Sequence, residues 1–190
     1  MTDRPPARTA GRPARLILAA ALVLLGITLV GVVAGPLARP SRADGVVSDD
    51  VTVFADDHPA VANLDPGLVR ALRRAARDAA EDGVRIVVRS GWRSSHYQER
   101  LFRDAVSKYG SEERAARWVA AVDSSLHVSG DAVDIGRSDA IAWLARHGAR
   151  YGLCRVYRNE PWHFELRSRA IARGCPSLYA TPANDPRMRQ

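Results

Sequence analysis

The chain has 190 residues, the size of one domain plus an N-terminal segment. Its formal net charge at pH 7 is +7, and residues 1–15 contribute +3 of it through four arginines and one aspartate. The remaining +4 is spread along the chain. No basic cluster is interleaved with aromatic side chains, which argues against a nucleic-acid-binding protein.

The first 38 residues indicate a segment that enters a membrane. Residues 1–15 are polar and rich in arginine and proline, and we expect them to form a disordered, cytoplasmic basic tail. Residues 16–38 carry no charge, and as a helix they would span about 35 Å, enough for a bilayer core. We expect an uncleaved transmembrane signal anchor. The alternative is a cleaved signal peptide, with a cleavage site at residues 41–43 and a secreted domain.

Residues 39–50 indicate a short linker, and residues 51–190 then form an extracytoplasmic domain. An Asp-Pro pair at 65–66 predicts the start of a helix, with the aspartate as N-cap, and Gly83 predicts its end. Residues 84–89 predict a strand, in which Val84, Ile86 and Val88 face one side.

Further helices and an irregular tail are predicted later in the chain. One helix begins near Ser94, which can cap it, and runs to Tyr109. Another begins at Ser138 and runs to about residue 147. Residues 176–190 contain three prolines and no periodicity, so we expect an irregular tail on the surface.

Residues 125–135 contain two candidate metal ligands, His127 and Asp134. Gly130-Asp131 between them fits a two-residue hairpin turn, with glycine where φ is positive. In that hairpin His127 lies directly opposite Asp134, with Cβ atoms about 5 Å apart. The two side chains could then reach one zinc ion.

A catalytic zinc usually has three protein ligands, and residues 160–163 supply the third. His163 is the candidate ligand, and Glu160 is the candidate general base that takes a proton from the attacking water. Pro161 excludes a helix here. Alternation from Trp162 onward predicts a strand with Trp162, Phe164 and Leu166 on one face, and with His163 and Glu165 on the other.

The two cysteines, Cys154 and Cys175, are expected to form one disulfide because the domain is predicted to lie outside the cytoplasm. The loop that they close contains Glu160 and His163. The alternatives are two free buried thiols or a zinc–thiolate site.

Three ordered motifs resemble those of the zinc D-alanyl-D-alanine carboxypeptidases of the VanY type. The first is Ser125-x-His127-x-x-Gly130-x-Ala132-x-Asp134, and the second is Glu160-x-Trp162-His163. The upstream motif is Ser90-Gly91-Trp92-Arg93-Ser94 with Gln98, where that family usually has tyrosine in place of Trp92. The resemblance covers the chain roughly from Val51 to its C-terminus.

The resemblance implies an α+β fold, in which a small antiparallel sheet carries the zinc site and helices flank it, as in Hedgehog and D,D-peptidase domains. It also implies one zinc ion per chain, held by His127, Asp134 and His163. Arg93 is expected to bind the substrate carboxylate or the oxyanion, since its planar fork suits both; the alternative is a solvated arginine. Ser125 and Gln98 are further candidates for hydrogen bonds to the peptide.

The implied activity is release of the terminal D-Ala from D-Ala-D-Ala stem peptides of peptidoglycan. Two alternatives stay open: an L,D-carboxypeptidase or cell-wall endopeptidase on the same scaffold, and a membrane-anchored zinc-binding module without catalysis. Glu160 argues against the second, because a structural zinc needs no base. We expect a monomer in the cell membrane, with the N-terminus inside, peptidoglycan peptides as partners and no nucleic acid.

Overall fold

A computed structural model describes residues 1–2, 39–48 and 51–188. The chain divides into two compact units, Met1–Leu37 and Ala38–Gln190, and the second contains the elements below. In the described part of the chain, no helix is both long and apolar enough to cross a membrane. The predicted anchor at 16–38 lies outside the described residues and stays a prediction.

The described residues form helices around a four-stranded sheet. The α-helices are α1 Pro59–Ala62, α2 Pro66–Glu81, α3 Ser95–Tyr109, α4 Glu112–Ala115, α5 Leu126–Ser129, α6 Ser138–His147 and α7 Ala170–Arg173. The strands are β1 Val88–Ser90, β2 Ala132–Ile135, β3 Leu153–Arg155 and β4 His163–Leu166. Short 3₁₀ helices lie at Arg42–Asp44, Val122–Ser124, Gly148–Tyr151, Pro182–Asn184 and Pro186–Met188. The expected α+β class, with a small antiparallel sheet, is confirmed.

The sheet has the strand order β1-β2-β4-β3, and every neighbouring pair is antiparallel. The central strand β2 is buried along its whole length. The side chains of Val133 and Phe164, which face each other across β2 and β4, are fully buried in the core. The sheet therefore packs one face against helices α2 and α6.

Helix α2 begins and ends as the sequence predicts. The Asp65 carboxylate accepts a hydrogen bond from the Leu68 N–H at 2.9 Å, which satisfies an orphan donor of the first turn. At the other end Gly83 has φ +72°, and the Val84 N–H donates to the Ala79 carbonyl at 2.8 Å. This is a Schellman cap.

That cap also explains why the predicted strand at 84–89 is wrong at its start. The Val84 N–H is used by the helix, so it cannot join a strand ladder. Regular pairing begins only at Val88, opposite Ile135, while Val87 forms an isolated bridge with Thr52.

The predicted disulfide between Cys154 and Cys175 is present. It links β3 to the segment after α7, at a sequence separation of 21, and the loop that it closes includes β4. Among the described residues no cysteine is free, which removes the thiol and zinc–thiolate alternatives.

Candidate metal centre

Three buried side chains converge at one point: His127 in α5, Asp134 in β2 and His163 in β4. Asp134 and His163 lie directly opposite each other in the antiparallel pair of β2 and β4. The Asp134 Oδ1 atom is 3.4 Å from His127 Nε2 and 3.2 Å from His163 Nδ1. The three donor atoms all lie within 4.8 Å of one another, so one ion can contact all three.

The predicted hairpin at Gly130-Asp131 is wrong, although the positive φ at Gly130 is right. Residues 126–129 form the short helix α5, and Gly130, with φ +81°, ends it. A Cβ at Gly130 would lie 2.4 Å from the Asn63 carbonyl oxygen, which requires glycine. His127 therefore reaches Asp134 from a helix, and the residue opposite Asp134 in the sheet is His163.

The ring of His127 is fixed by the upstream motif. Its Nδ1 lies 2.8 Å from the Gly91 carbonyl oxygen, so Nδ1 donates the hydrogen bond and Nε2 is left to accept a metal. Burial and the Arg93 guanidinium lower the pKa of His127, which favours the neutral imidazole that a metal ligand needs.

Gly91 can hold that carbonyl in place because it has no side chain. A Cβ there would lie 2.0 Å from the Ala60 carbonyl oxygen. We expect Gly91→Ala to destabilise the fold by about 1–3 kcal/mol through overpacking, and to weaken zinc binding because the Gly91 carbonyl must move. Chemical denaturation and zinc titration measure both effects.

Gly136→Ala is the matched control, since a Cβ at Gly136 would only make an ordinary contact, 3.6 Å from the Val87 carbonyl oxygen. Equal stability and zinc affinity in Gly91→Ala and Gly136→Ala would contradict the role given to Gly91.

His163 is held on both ring nitrogens and on one ring face. Its Nδ1 faces Asp134, and its Nε2 lies 3.4 Å from Glu165 Oε1. The Tyr157 ring packs against it with a centroid distance of 5.1 Å. Burial lowers the pKa of His163, but the hydrogen bonds to Asp134 and Glu165 outweigh it and raise the pKa to about 9. The ring is thus oriented by two carboxylates, with Nδ1 towards the cluster.

Arg93 contacts the cluster itself. Its Nη2 donates to the second oxygen of Asp134 at 3.0 Å, its Nε to Ser90 Oγ at 2.7 Å and its Nη1 to Gln98 Oε1 at 3.0 Å. Burial alone would raise the pKa of Asp134, but His127, His163 and Arg93 together hold it well below its usual range.

Gln98 was a candidate for contact with the peptide, and the structure uses both ends of its amide within the protein. Oε1 accepts from Arg93, and Nε2 donates to the Ala120 carbonyl at 2.7 Å. Gln98 therefore fixes the Arg93 guanidinium. It still lines the same cleft as Arg93, Ser125 and the three candidate ligands.

Glu160 lies beside the three candidate ligands and lines the same cleft. Its Oε2 atom is 3.9 Å from His163 Nδ1, and its buried Oε1 atom has no hydrogen-bond partner among the residues that the structure describes. Burial raises the pKa of Glu160 to about 7, the range that suits a general base at neutral pH. An unpartnered carboxylate oxygen at this position can accept a proton from a water in the cleft.

Trp162 is the one member of the predicted apolar face that lies elsewhere. Phe164 is fully buried and Leu166 packs against the core. Trp162 precedes β4, is 37% exposed and lines the cleft. Trp118 lines the cleft as well and is also exposed.

The donor set fits zinc. Two imidazole nitrogens and one carboxylate oxygen are the ligand types and the number that catalytic zinc sites use. The second nitrogen of each histidine is anchored, to a carbonyl and to a carboxylate respectively, as is usual for metal-bound histidines. Three ligands of these types, with a buried glutamate beside them that can act as a base, fit a zinc-dependent hydrolase.

Comparison with known proteins specifies the family. Residues 61–168 match the family described as VanY: D-alanyl-D-alanine carboxypeptidase, and the chain belongs to this family of zinc carboxypeptidases. It is 31% identical over 113 residues to the D-alanyl-D-alanine carboxypeptidase of Enterococcus faecalis (strain ATCC 700802 / V583). That match covers 46% of this chain and 42% of the relative, so the chain spans less than half of the relative's length.

Three solved structures have similar folds. One is the vancomycin resistance D,D-pentapeptidase VanY, a glutamate-to-alanine mutant with Zn(II), with TM-score 0.54, 26% identity, and coverage of 60% of this chain and 80% of that one. The second is VanYB with D-alanine-D-alanine, with TM-score 0.53, 25% identity, and coverage of 58% and 78%. The third is the LD-carboxypeptidase LdcB, with TM-score 0.52, 25% identity, and coverage of 68% and 70%.

Sequence reasoning missed the residues that support the ligands. Glu165 had a signal, because alternation places it on the same face as His163, two residues away. Tyr157, Asp185 and Arg187 had none. The tail that contains the last two was predicted to be irregular and superficial, yet Asp185 is fully buried.

Proposed function

We propose that this protein is a zinc-dependent D-alanyl-D-alanine carboxypeptidase that releases the terminal D-Ala of peptidoglycan stem peptides. The observation that carries the proposal is a buried oxygen of Glu160 that accepts no hydrogen bond from the described part of the chain. It lies beside His127, Asp134 and His163, in an open cleft. Family membership supports the reaction, and the complex of VanYB with D-alanine-D-alanine supports the substrate.

His127, Asp134 and His163 would hold the ion. When bound, zinc polarises the scissile carbonyl and lowers the pKa of a bound water. Glu160 accepts the proton of the attacking water and passes it to the leaving amine, which departs as D-Ala. The second N–H of Arg93 Nη1 or Nη2 donates to the substrate carboxylate or to the developing oxyanion. Ser125 lines the same cleft and contributes a hydroxyl to the peptide.

A second candidate is an L,D-carboxypeptidase, which the similarity to LdcB supports. The two activities differ in which stem peptide they shorten. A zinc-binding module without catalysis is less consistent with the site, because a buried carboxylate oxygen without a hydrogen bond from any described residue has no use in a structural zinc site.

We also propose that the domain acts outside the cytoplasm, as a monomer attached to the membrane by residues 16–38. The charge pattern of residues 1–15 and the disulfide support this location. Protease applied to intact cells should then digest the domain.

The proposal is tested with two synthetic peptides that differ only at their ends. The first is a pentapeptide ending in D-Ala-D-Ala, and the second is the tetrapeptide that lacks the last residue. We expect zinc-loaded protein to release one D-Ala from the pentapeptide and to leave the tetrapeptide intact, as measured by mass spectrometry.

Release of D-Ala from the tetrapeptide would instead establish the L,D activity. Zinc binding without cleavage of either peptide, or of muropeptides, would establish the non-catalytic module and refute the proposal.

A further inference from the structure

The tail beyond the family match forms part of the site. The match ends at residue 168, and the chain then returns to the sheet through the disulfide and a bridge between Tyr157 and Tyr179. The Tyr179 N–H donates to the Val156 carbonyl, and the Arg158 N–H donates to the Tyr179 carbonyl, each at 2.9 Å. We call residues 179–188 the C-terminal segment.

This segment brings one arginine onto the carboxylate behind His163. Arg187 Nη1 donates to Glu165 Oε2 at 2.8 Å, and Arg187 Nη2 donates to Glu165 Oε1 at 3.2 Å. Such a two-point contact fixes both the position and the plane of a carboxylate. Glu165 Oε1 is also the atom that His163 Nε2 contacts.

Arg187 is itself held in place. Its Nε and its backbone N–H each donate to Asp185 Oδ1 at 3.0 Å, and its Nη2 contacts Asp185 Oδ2. Asp185 is fully buried, and its Oδ2 also accepts the Tyr157 hydroxyl at 3.2 Å. Tyr157 packs on the His163 ring, and Glu165 contacts its Nε2 atom. Both residues that contact the ring are therefore bound by the pair, Tyr157 by Asp185 and Glu165 by Arg187.

Arg167 offers an internal comparison on the same carboxylate. It forms an ion pair with Glu165 Oε2, at 2.7 Å, whereas the hydrogen bonds to Oε1 among the described residues involve Arg187 and His163. Without Arg187, Oε1 therefore loses its arginine hydrogen bond, whereas without Arg167 both oxygens keep their hydrogen bonds to Arg187. A buried ion network is weak evidence for stability, so its geometry around a candidate ligand is the more informative feature.

We propose that Arg187 is a positioning residue, which fixes the ring of His163 for zinc through Glu165. The inference rests on the proposed function, because it takes His163 as a zinc ligand. It adds the C-terminal segment, which lies outside the family match, to the machinery of the site.

The test measures the zinc dissociation constant of the full chain by competition with a chelator. Glu165→Gln should weaken zinc binding about 10- to 100-fold, the usual cost of losing an outer partner of a metal-bound histidine. Arg187→Met should weaken it about 10-fold, at the low end of the same range, and Arg167→Met should leave it within about twofold of wild type.

Two further measurements separate positioning from general stabilisation. In the double variant Glu165→Gln, Arg187→Met, the loss should equal that of Glu165→Gln alone within about twofold, because Arg187 acts through Glu165. The absorption spectrum of the cobalt-loaded protein should change in Arg187→Met but not in Arg167→Met, since it reports the ligand geometry. Arg187→Lys keeps the charge but not the fork, and its loss should be intermediate even if Arg187→Met fails to fold.

The outcomes distinguish failure of the positioning role from failure of the proposed function. Wild-type protein that binds no zinc would refute both. Zinc-binding wild type with equal affinities in Arg187→Met and Arg167→Met, or with multiplicative losses in the double variant, would overturn the positioning role alone.

Discussion

Replacing Glu160 by glutamine should lower the rate of D-Ala release about 10²–10⁴-fold, the usual cost of losing a positioned general base. The amide has nearly the same shape as the carboxylate but cannot accept a proton from water. Burial already disfavours the charged form of Glu160, which is why its pKa rises to about 7, so the neutral amide should fit the site without disturbing the fold. Zinc content should stay at the wild-type level, because Glu160 is not one of the three converging ligands.

The measurement is the initial rate of D-Ala release at equal zinc loading, compared with Glu112→Gln. Glu112 is exposed at the start of α4, so that variant should hydrolyse at the wild-type rate. A Glu160→Gln protein that hydrolyses as fast as Glu112→Gln would show that another group is the base. Loss of zinc together with activity would mean that Glu160 is itself a ligand.

The sequence predicts an element well where several local signals agree. For helix α2 the cap at Asp65, the proline after it and the stop at Gly83 all indicate the same boundaries, and the structure has them. These signals act within one or two turns, so no distant residue is needed to interpret them.

The stretch around His127 shows where local signals become ambiguous. Positive φ at Gly130 fits both a two-residue hairpin and the end of a helix. Helix α5 has only four residues, too few for a periodicity of 3.6 to show. The fact that decides between the two is tertiary: Asp134 pairs with His163, 29 residues away.

The set of candidate site residues could nevertheless be predicted, because metal chemistry limits the choice of side chains. Two histidines, an aspartate and a glutamate in ordered motifs leave few alternatives for a zinc site, and the structure brings these four together. Their supports could not be predicted in the same way. Asp185 and Arg187 are charged residues in a segment without periodicity. Arg187 is placed by the Glu165 carboxylate, 22 residues away in the sequence, and Asp185 by Arg187 and by the Tyr157 hydroxyl, 28 residues away.

Arg93 also makes contacts that the sequence does not predict. Sequence reasoning assigns its fork to the substrate, while the structure shows three of its N–H groups bonded to Asp134, Ser90 and Gln98. Arg93 thus orients a candidate ligand and lines the cleft at once. Motif spacing alone does not determine which oxygen a guanidinium binds, because that depends on tertiary packing.

Replacing either histidine of the cluster by alanine should abolish stable zinc binding. His127→Ala and His163→Ala each leave two protein ligands, fewer than catalytic zinc sites use. The loss of affinity should therefore exceed the 10- to 100-fold that removal of an outer partner typically costs. Wild-type protein should carry about one zinc ion per chain.

Elemental analysis of the purified full chain after dialysis measures the zinc content, and circular dichroism checks that each variant is folded. His96→Ala is the matched control, because His96 lies in α3, outside the three converging ligands, and its zinc content should equal that of wild type. If folded His127→Ala and His163→Ala both keep one zinc per chain, the ion binds elsewhere, and the mechanism built on this cluster is wrong.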